Sequence, residues 1–133
     1  MLYIDLVLYS LKSSSNYISE SSYEAMGWLK NTPENSVTVS GQFTGNVLPV
    51  FSLRPVFIGH SHETANSWEK YMKTMDFFQK SISGERKAFL EENQIAYVYF
   101  GIEEKSYANF NPDEEVFLEK VYSNSEVSLY KVK

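Results

Sequence analysis

The chain has 133 residues, 43 % of them apolar, a formal net charge of −5 and no cysteine. That length fits one domain with a real core. The missing cysteines exclude a disulfide scaffold, cysteine-ligated zinc and a thiol nucleophile, and the acidic balance, without clustered Lys and Arg, argues against nucleic acid as a partner.

Residues 2–11 are the most apolar stretch, interrupted by Asp5. Periodicity does not decide there between a strand and a short helix. The stretch falls short of the roughly 18–20 apolar residues that cross a bilayer. It also lacks the basic start and cleavage site of a signal peptide, so the polypeptide as it stands is expected to be soluble. Residues 12–22 are Ser-rich and read as a linker. The expected division is an N-terminal apolar segment with linker, 1–19, and a single α/β domain, 20–133.

Ser21-Ser22-Tyr23-Glu24 fits a capping box, and Ala25, Trp28 and Leu29 share the face of the helix it opens. That helix should end near Asn31, because Pro33 disfavours helix at Thr32. Residues 37–40 form a short β-branched strand. Residues 41–46 read as loop, with Gly45-Asn46 suited to positive φ, and 47–53 as a short helix or turn around Pro49. Arg54-Pro55 opens a second strand, 56–58, that runs unalternated as if buried on both faces.

Residues 66–80 form the clearest helix, with Trp68, Tyr71, Met72, Met75 and Phe78 as one apolar stripe that belongs in the core. A shorter helix follows over 85–93, facing inward with Phe89 and Leu90. Residues 95–100 are a strong central strand ended by Gly101. Residues 103–113 read as polar loop, with Glu103-Glu104 and Asp113-Glu114-Glu115 as solvated surface. Residues 116–122 and 127–132 form a hairpin. Strands separated by helices predict an α/β fold, a Rossmann-like three-layer domain: a mainly parallel sheet flanked by helices, closed by an antiparallel hairpin.

The only two histidines, His60 and His62, lie in Gly59-His60-Ser61-His62-Glu63-Thr64, between a strand and a helix N-terminus, where α/β proteins place ligands. His60, His62 and Glu63 are conceivable zinc ligands, but no further His or Cys completes a closed site, and no metal is expected. Thr64 and Asn66 can cap the helix, and amides there suit phosphate or a sugar hydroxyl. Thr44-Gly45-Asn46 should emerge at the same sheet edge. Arg54 is a candidate partner for a carboxylate or phosphate. No nucleophile elbow, Walker loop or dinucleotide glycine pattern occurs.

The order Tyr23-Glu24-Ala25-Met26-Gly27-Trp28-Leu29, Thr32-Pro33-Glu34-Asn35-Ser36-Val37, Thr44-Gly45-Asn46, Arg54-Pro55-Val56-Phe57-Ile58-Gly59-His60, Glu63-Thr64 resembles a known pattern. It continues through Arg86, Phe89-Leu90, Ile95-Ala96-Tyr97-Val98-Tyr99-Phe100-Gly101 and Phe117-Leu118-Glu119-Lys120-Val121-Tyr122. It is similar to the soluble C-terminal domain that follows the last membrane span in polytopic membrane glycosyltransferases of the protein-O-mannosyltransferase-like type, which use lipid-linked sugar donors. The resemblance covers about residues 20–132; His62 and residues 2–11 depart from it.

The resemblance implies an extracytoplasmic domain at the cell membrane, partnered with the membrane-embedded remainder of its parent protein. The catalytic acid of such enzymes lies between early membrane spans, so no residue here inherits a catalytic role and no cofactor is implied. It implies for Thr44, Asn46, Gly59, His60, Glu63 and Thr64 a supporting contact with lipid-linked sugar or a glycan or protein acceptor. Other readings stay open: a protein-interaction module of a membrane protein, or a small metal- or sugar-phosphate-binding protein centred on His60 and His62.

Overall fold

The computed structural model describes residues 18–59 and 66–133. The described elements run α1 (Glu20–Leu29), β1 (Val37–Val39), α2 (Gln42–Ser52), α3 (Ser67–Gln79), α4 (Ser83–Glu92), β2 (Ile95–Phe100), α5 (Ile102–Tyr107), a 3-10 turn (Pro112–Glu114), β3 (Leu118–Ser123) and β4 (Ser128–Val132). Residues 1–17 and 60–65 lie outside them, so the expectations for residues 2–11 and for His60, His62, Glu63 and Thr64 fall outside the described residues. Among the described residues no helix is long and apolar enough to cross a membrane.

The strands form one sheet in the order β1-β2-β4-β3. β1 and β2 are parallel, whereas β2 with β4 and β4 with β3 are antiparallel. The expected mainly parallel, Rossmann-like sheet is therefore corrected to a mixed one. The closing hairpin forms the expected antiparallel edge, with β3 outermost and β4 directly against β2, so only the β1–β2 pairing is parallel. The predicted strand 56–58 also shrinks, to a single parallel bridge from Val56 to Thr38, held by Thr38 N–H to the Pro55 carbonyl (3.1 Å) and Phe57 N–H to the Thr38 carbonyl (2.9 Å).

Helices cover both faces, as expected. Tyr97 and Tyr99 of β2 and Leu129 of β4 pack with Ala25, Met26 and Leu29 of α1 and Leu48 and Phe51 of α2. Val98 and Phe100 point to the other side, toward Phe77 and Phe78 of α3 and Leu90 of α4. The alternation is the period-2 rule acting on an apolar strand covered on both faces.

Local chemistry moves several boundaries. The cap of α1 is Ser19, whose Oγ accepts Ser22 N–H at 3.1 Å, not the Ser21–Glu24 box. Gly45 and Asn46 lie inside α2, and no described glycine has positive φ. Positive φ falls instead on Leu53, Asn66 and Gln94. Asn66 occupies the N-cap position of α3 without a side-chain capping bond. Among the described residues the Arg54 guanidinium meets no carboxylate; it donates to the carbonyls of Lys30 (2.6 Å) and Thr32 (2.9 and 2.7 Å), the usual place for a cation just past a helix C-terminus.

The stripe on α3 is rotated from its expected position. Thr74, Phe77 and Phe78 are buried, while Met72 is exposed and Trp68 is 73 % exposed, stacked on Tyr71. Trp68 is thus a surface residue, not core.

Candidate functional site

β1 and β2 run parallel side by side, with a shift in register between Val37 and Thr38, and each is soon followed by a helix: α2 begins after Gly41 and α5 after Gly101. Parallel strand ends with helix N-termini present unpaired backbone N–H groups to one crevice, the common ligand position in α/β folds.

Here the chain itself fills much of that demand. Glu104, with no exposed surface, accepts Gly41 N–H on Oε2 at 2.7 Å and Gly101 N–H on Oε1 at 2.9 Å. One carboxylate so ties the start of α2 to the start of α5. Glu103 Oε1 accepts both Thr44 N–H and Thr44 Oγ1 at 2.8 Å, and its Oε2 takes longer bonds from Phe43 N–H (3.3 Å) and Tyr107 O–H (3.4 Å). The reading of residues 103–113 as solvated loop is corrected: two acids in a row are buried or half-buried because unpaired amides receive them.

Burial, reinforced by the adjacent Glu103 charge, pushes Glu104 up to about 7, against the bonds from the Gly41, Gly101 and Glu104 amides that favour its ionised form. The Tyr99 and Tyr107 phenols are pushed up as well, first by burial and then by neighbouring groups that include these same carboxylates. No cation balances the pair from within hydrogen-bonding distance among the described residues.

A Cβ on Gly41 would lie 2.1 Å from the Tyr107 hydroxyl and 2.3 Å from the Glu103 carboxyl, so any larger residue here would displace those two side-chain ends. A stricter constraint, against backbone, joins α2 to the end of the 56–59 segment. A Cβ on Gly45 would meet the Ile58 carbonyl oxygen at 2.0 Å, and one on Gly59 would meet the Gly45 carbonyl at 2.8 Å. That carbonyl has no helical donor, because the residue four positions on is Pro49.

The structure therefore brings Gly45, between Thr44 and Asn46 on α2, against Gly59, the last described residue before 60–65. Thr44 lines a cleft of about 340 Å3 between α1, α2 and α5. Asn46 Oδ1 is buried without a hydrogen-bond partner among the described residues. Sequence reasoning missed Glu103 and Glu104. The available signal was Gly101 followed three positions later by Glu104, half of a capping-box pattern directly after a strand.

No protein-family model matches the chain, and no curated protein matches it. Its fold is similar to a solved one, the C-terminal globular domain of an oligosaccharyltransferase from Archaeoglobus fulgidus. The TM-score is 0.62 at 13 % identity, over 87 % of this chain and 99 % of that one. At that identity the likeness shows the fold.

Proposed function

We propose that this chain is a non-catalytic extracytoplasmic domain of a membrane glycosyltransferase-like protein that uses lipid-linked sugar donors, of the protein-O-mannosyltransferase-like type, and that it supports acceptor or donor binding. The observation that carries this reading is the likeness over a whole domain to the globular tail of an oligosaccharyltransferase. The resemblance in residues 20–132 points to the same class of protein from sequence order. The natural partner is then the membrane-embedded remainder of the parent protein, which keeps the catalytic groups.

Within the domain the contact is assigned to Thr44, Asn46 and Gly59 with His60, Glu63 and Thr64. The close approach of Gly45 to Gly59 supports treating these as one surface. Trp68, exposed at the start of α3, adds a flat aromatic face of the kind that packs on apolar surface while its N–H stays wet. Because Glu103 already occupies the Thr44 amide, the expected contact at α2 is with neutral sugar hydroxyls, and a donor phosphate is repelled there.

Two experiments test the reading. The full reading frame should encode a series of hydrophobic spans ahead of this domain; a complete native chain of this size would end the proposal. The isolated domain should not turn over a lipid-phosphate sugar, whereas a mannoside should shift the amides of residues 59–64 in an NMR titration. Turnover by the domain would refute the non-catalytic role. Silence of those amides across a range up to roughly millimolar, where even weak sites give about −4 kcal/mol, would remove the ligand contact.

A further inference from the structure

The cleft above the ends of β1 and β2 has a lining of one sign. Glu103 comes from α5 and Glu126 from the turn between β3 and β4, joined by the hydroxyl-bearing Ser19, Ser22, Thr44 and Tyr99. No Lys, Arg or His lines it among the described residues. The cation nearest in the chain, Lys105, is turned to the Glu126 backbone carbonyl at 2.8 Å.

Both carboxylates keep acceptor capacity. Glu126 Oε2 accepts the Ser19 hydroxyl, and no described group donates to its Oε1. Glu103 Oε2 has only its two long bonds. Tyr99, 2 % exposed, forms the floor, its phenol held toward Ser22 and raised chiefly by burial, with Glu104, Glu126 and Glu103 adding to it. The rim is apolar: Phe43 and Ile102 are 58 % and 60 % exposed.

An occupant of this cleft strips water from two carboxylates, and only a positive charge offsets that loss. An anion meets repulsion, and a neutral polyol leaves both charges uncompensated. The apolar rim in front of an anionic floor matches a group with a hydrocarbon stem and a cationic head, which is how Lys and Arg side chains are built.

We propose that the cleft receives a basic side chain, lysine or arginine, from a partner polypeptide, its stem across Phe43 and Ile102 and its head between Glu103 and Glu126. This site shares only Thr44 with the sugar contact proposed above and stands without it.

The test is an NMR titration of the full chain with a capped Gly-Lys-Gly peptide, its norleucine analogue, which keeps the stem and drops the charge, and butylammonium chloride. The lysine peptide should move the amides of Ser19, Ser22, Thr44, Glu103 and Glu126 saturably, with the norleucine peptide about tenfold weaker or silent. Raising ionic strength from about 0.02 to about 0.2 M should weaken the lysine peptide severalfold. Glu126→Gln should weaken it about fivefold, the loss of one exposed charge partner; this turn residue carries no backbone cap, so the fold should survive. Equal binding by the norleucine peptide, or indifference to both salt and Glu126→Gln, would overturn the proposal. Butylammonium binding with the peptide silent would overturn the polypeptide as its source.

Discussion

Two acidic runs look alike in the sequence and end in opposite environments. Glu103-Glu104 bonds to backbone amides at the crevice, and Glu104 has lost all contact with water. Asp113-Glu114-Glu115 bonds to side chains. Asp113 stays exposed between the Tyr130 hydroxyl (2.7 Å) and Lys120 (3.0 Å), and Glu115 pairs with the nearly buried Arg86 at 3.3 Å.

The consequence appears in their proton affinities. Without a formal countercharge, burial wins at Glu104 and raises it to about 7. With a phenol donor first and an ammonium second, Asp113 is lowered. A carboxylate that caps helices holds elements together but is in tension with its own charge; one that meets a cation at the surface is not, and contributes little.

The sharpest way to break this contrast is to remove each acid. Glu104→Ala leaves the Gly41 and Gly101 amides without an acceptor, at about 1–3 kcal/mol each, so urea denaturation should show a loss of about 4 kcal/mol. Gly45→Ala, which drives a methyl into the Ile58 carbonyl, should cost about 3 kcal/mol by the same measurement. Next in size is a pH effect. The folded value of Glu104, about 7, lies above its ordinary value of 4.5. The folded chain therefore binds more protons between those values, and stability should fall as pH rises from 4.5 through 7.

Thermal midpoints should then be lower at pH 8 than at pH 5.5, and Glu104→Gln should flatten that slope. A slope of the opposite sign would mean that the amide bonds outweigh burial. Smallest is Asp113→Asn, expected within about 1 kcal/mol of the parent. If it cost as much as Glu104→Ala, the distinction between the two runs would collapse. The lowered Asp113 carries the reverse pH sign: its contribution is present above its ordinary value and fades as pH falls through its folded one.

Strong periodicity made α3, α4, β2 and the closing hairpin legible in the sequence, because each buries an apolar face whose spacing shows. α2 was not legible as a whole. Gly41, Gly45, Asn46 and Pro49 all argue against helix locally, yet Gly45 is there because Ile58 and Gly59 press against it; tertiary contact overrode propensity. α5 was hidden because its acids read as solvent-facing until the amides of Gly41 and Thr44 are placed beside them.

On α3 two overlapping apolar stripes existed, and only packing against Phe89 and Phe110 selects the one through Phe77. That selection turns Trp68 outward. At the site, the neighbourhood of Thr44-Gly45-Asn46 and Gly59 followed from strand order. The carboxylate latch did not, since it depends on two glycine amides far apart in the chain.

β3 is an outer strand of the sheet. It turns exposed Glu119 and Lys120 outward and loses register between Lys120 and Tyr122. Mixed charge and a local irregularity make a poor template for another molecule's backbone. At high concentration this border should resist intermolecular strand addition, and replacing Glu119 and Lys120 with threonine should raise the tendency to aggregate.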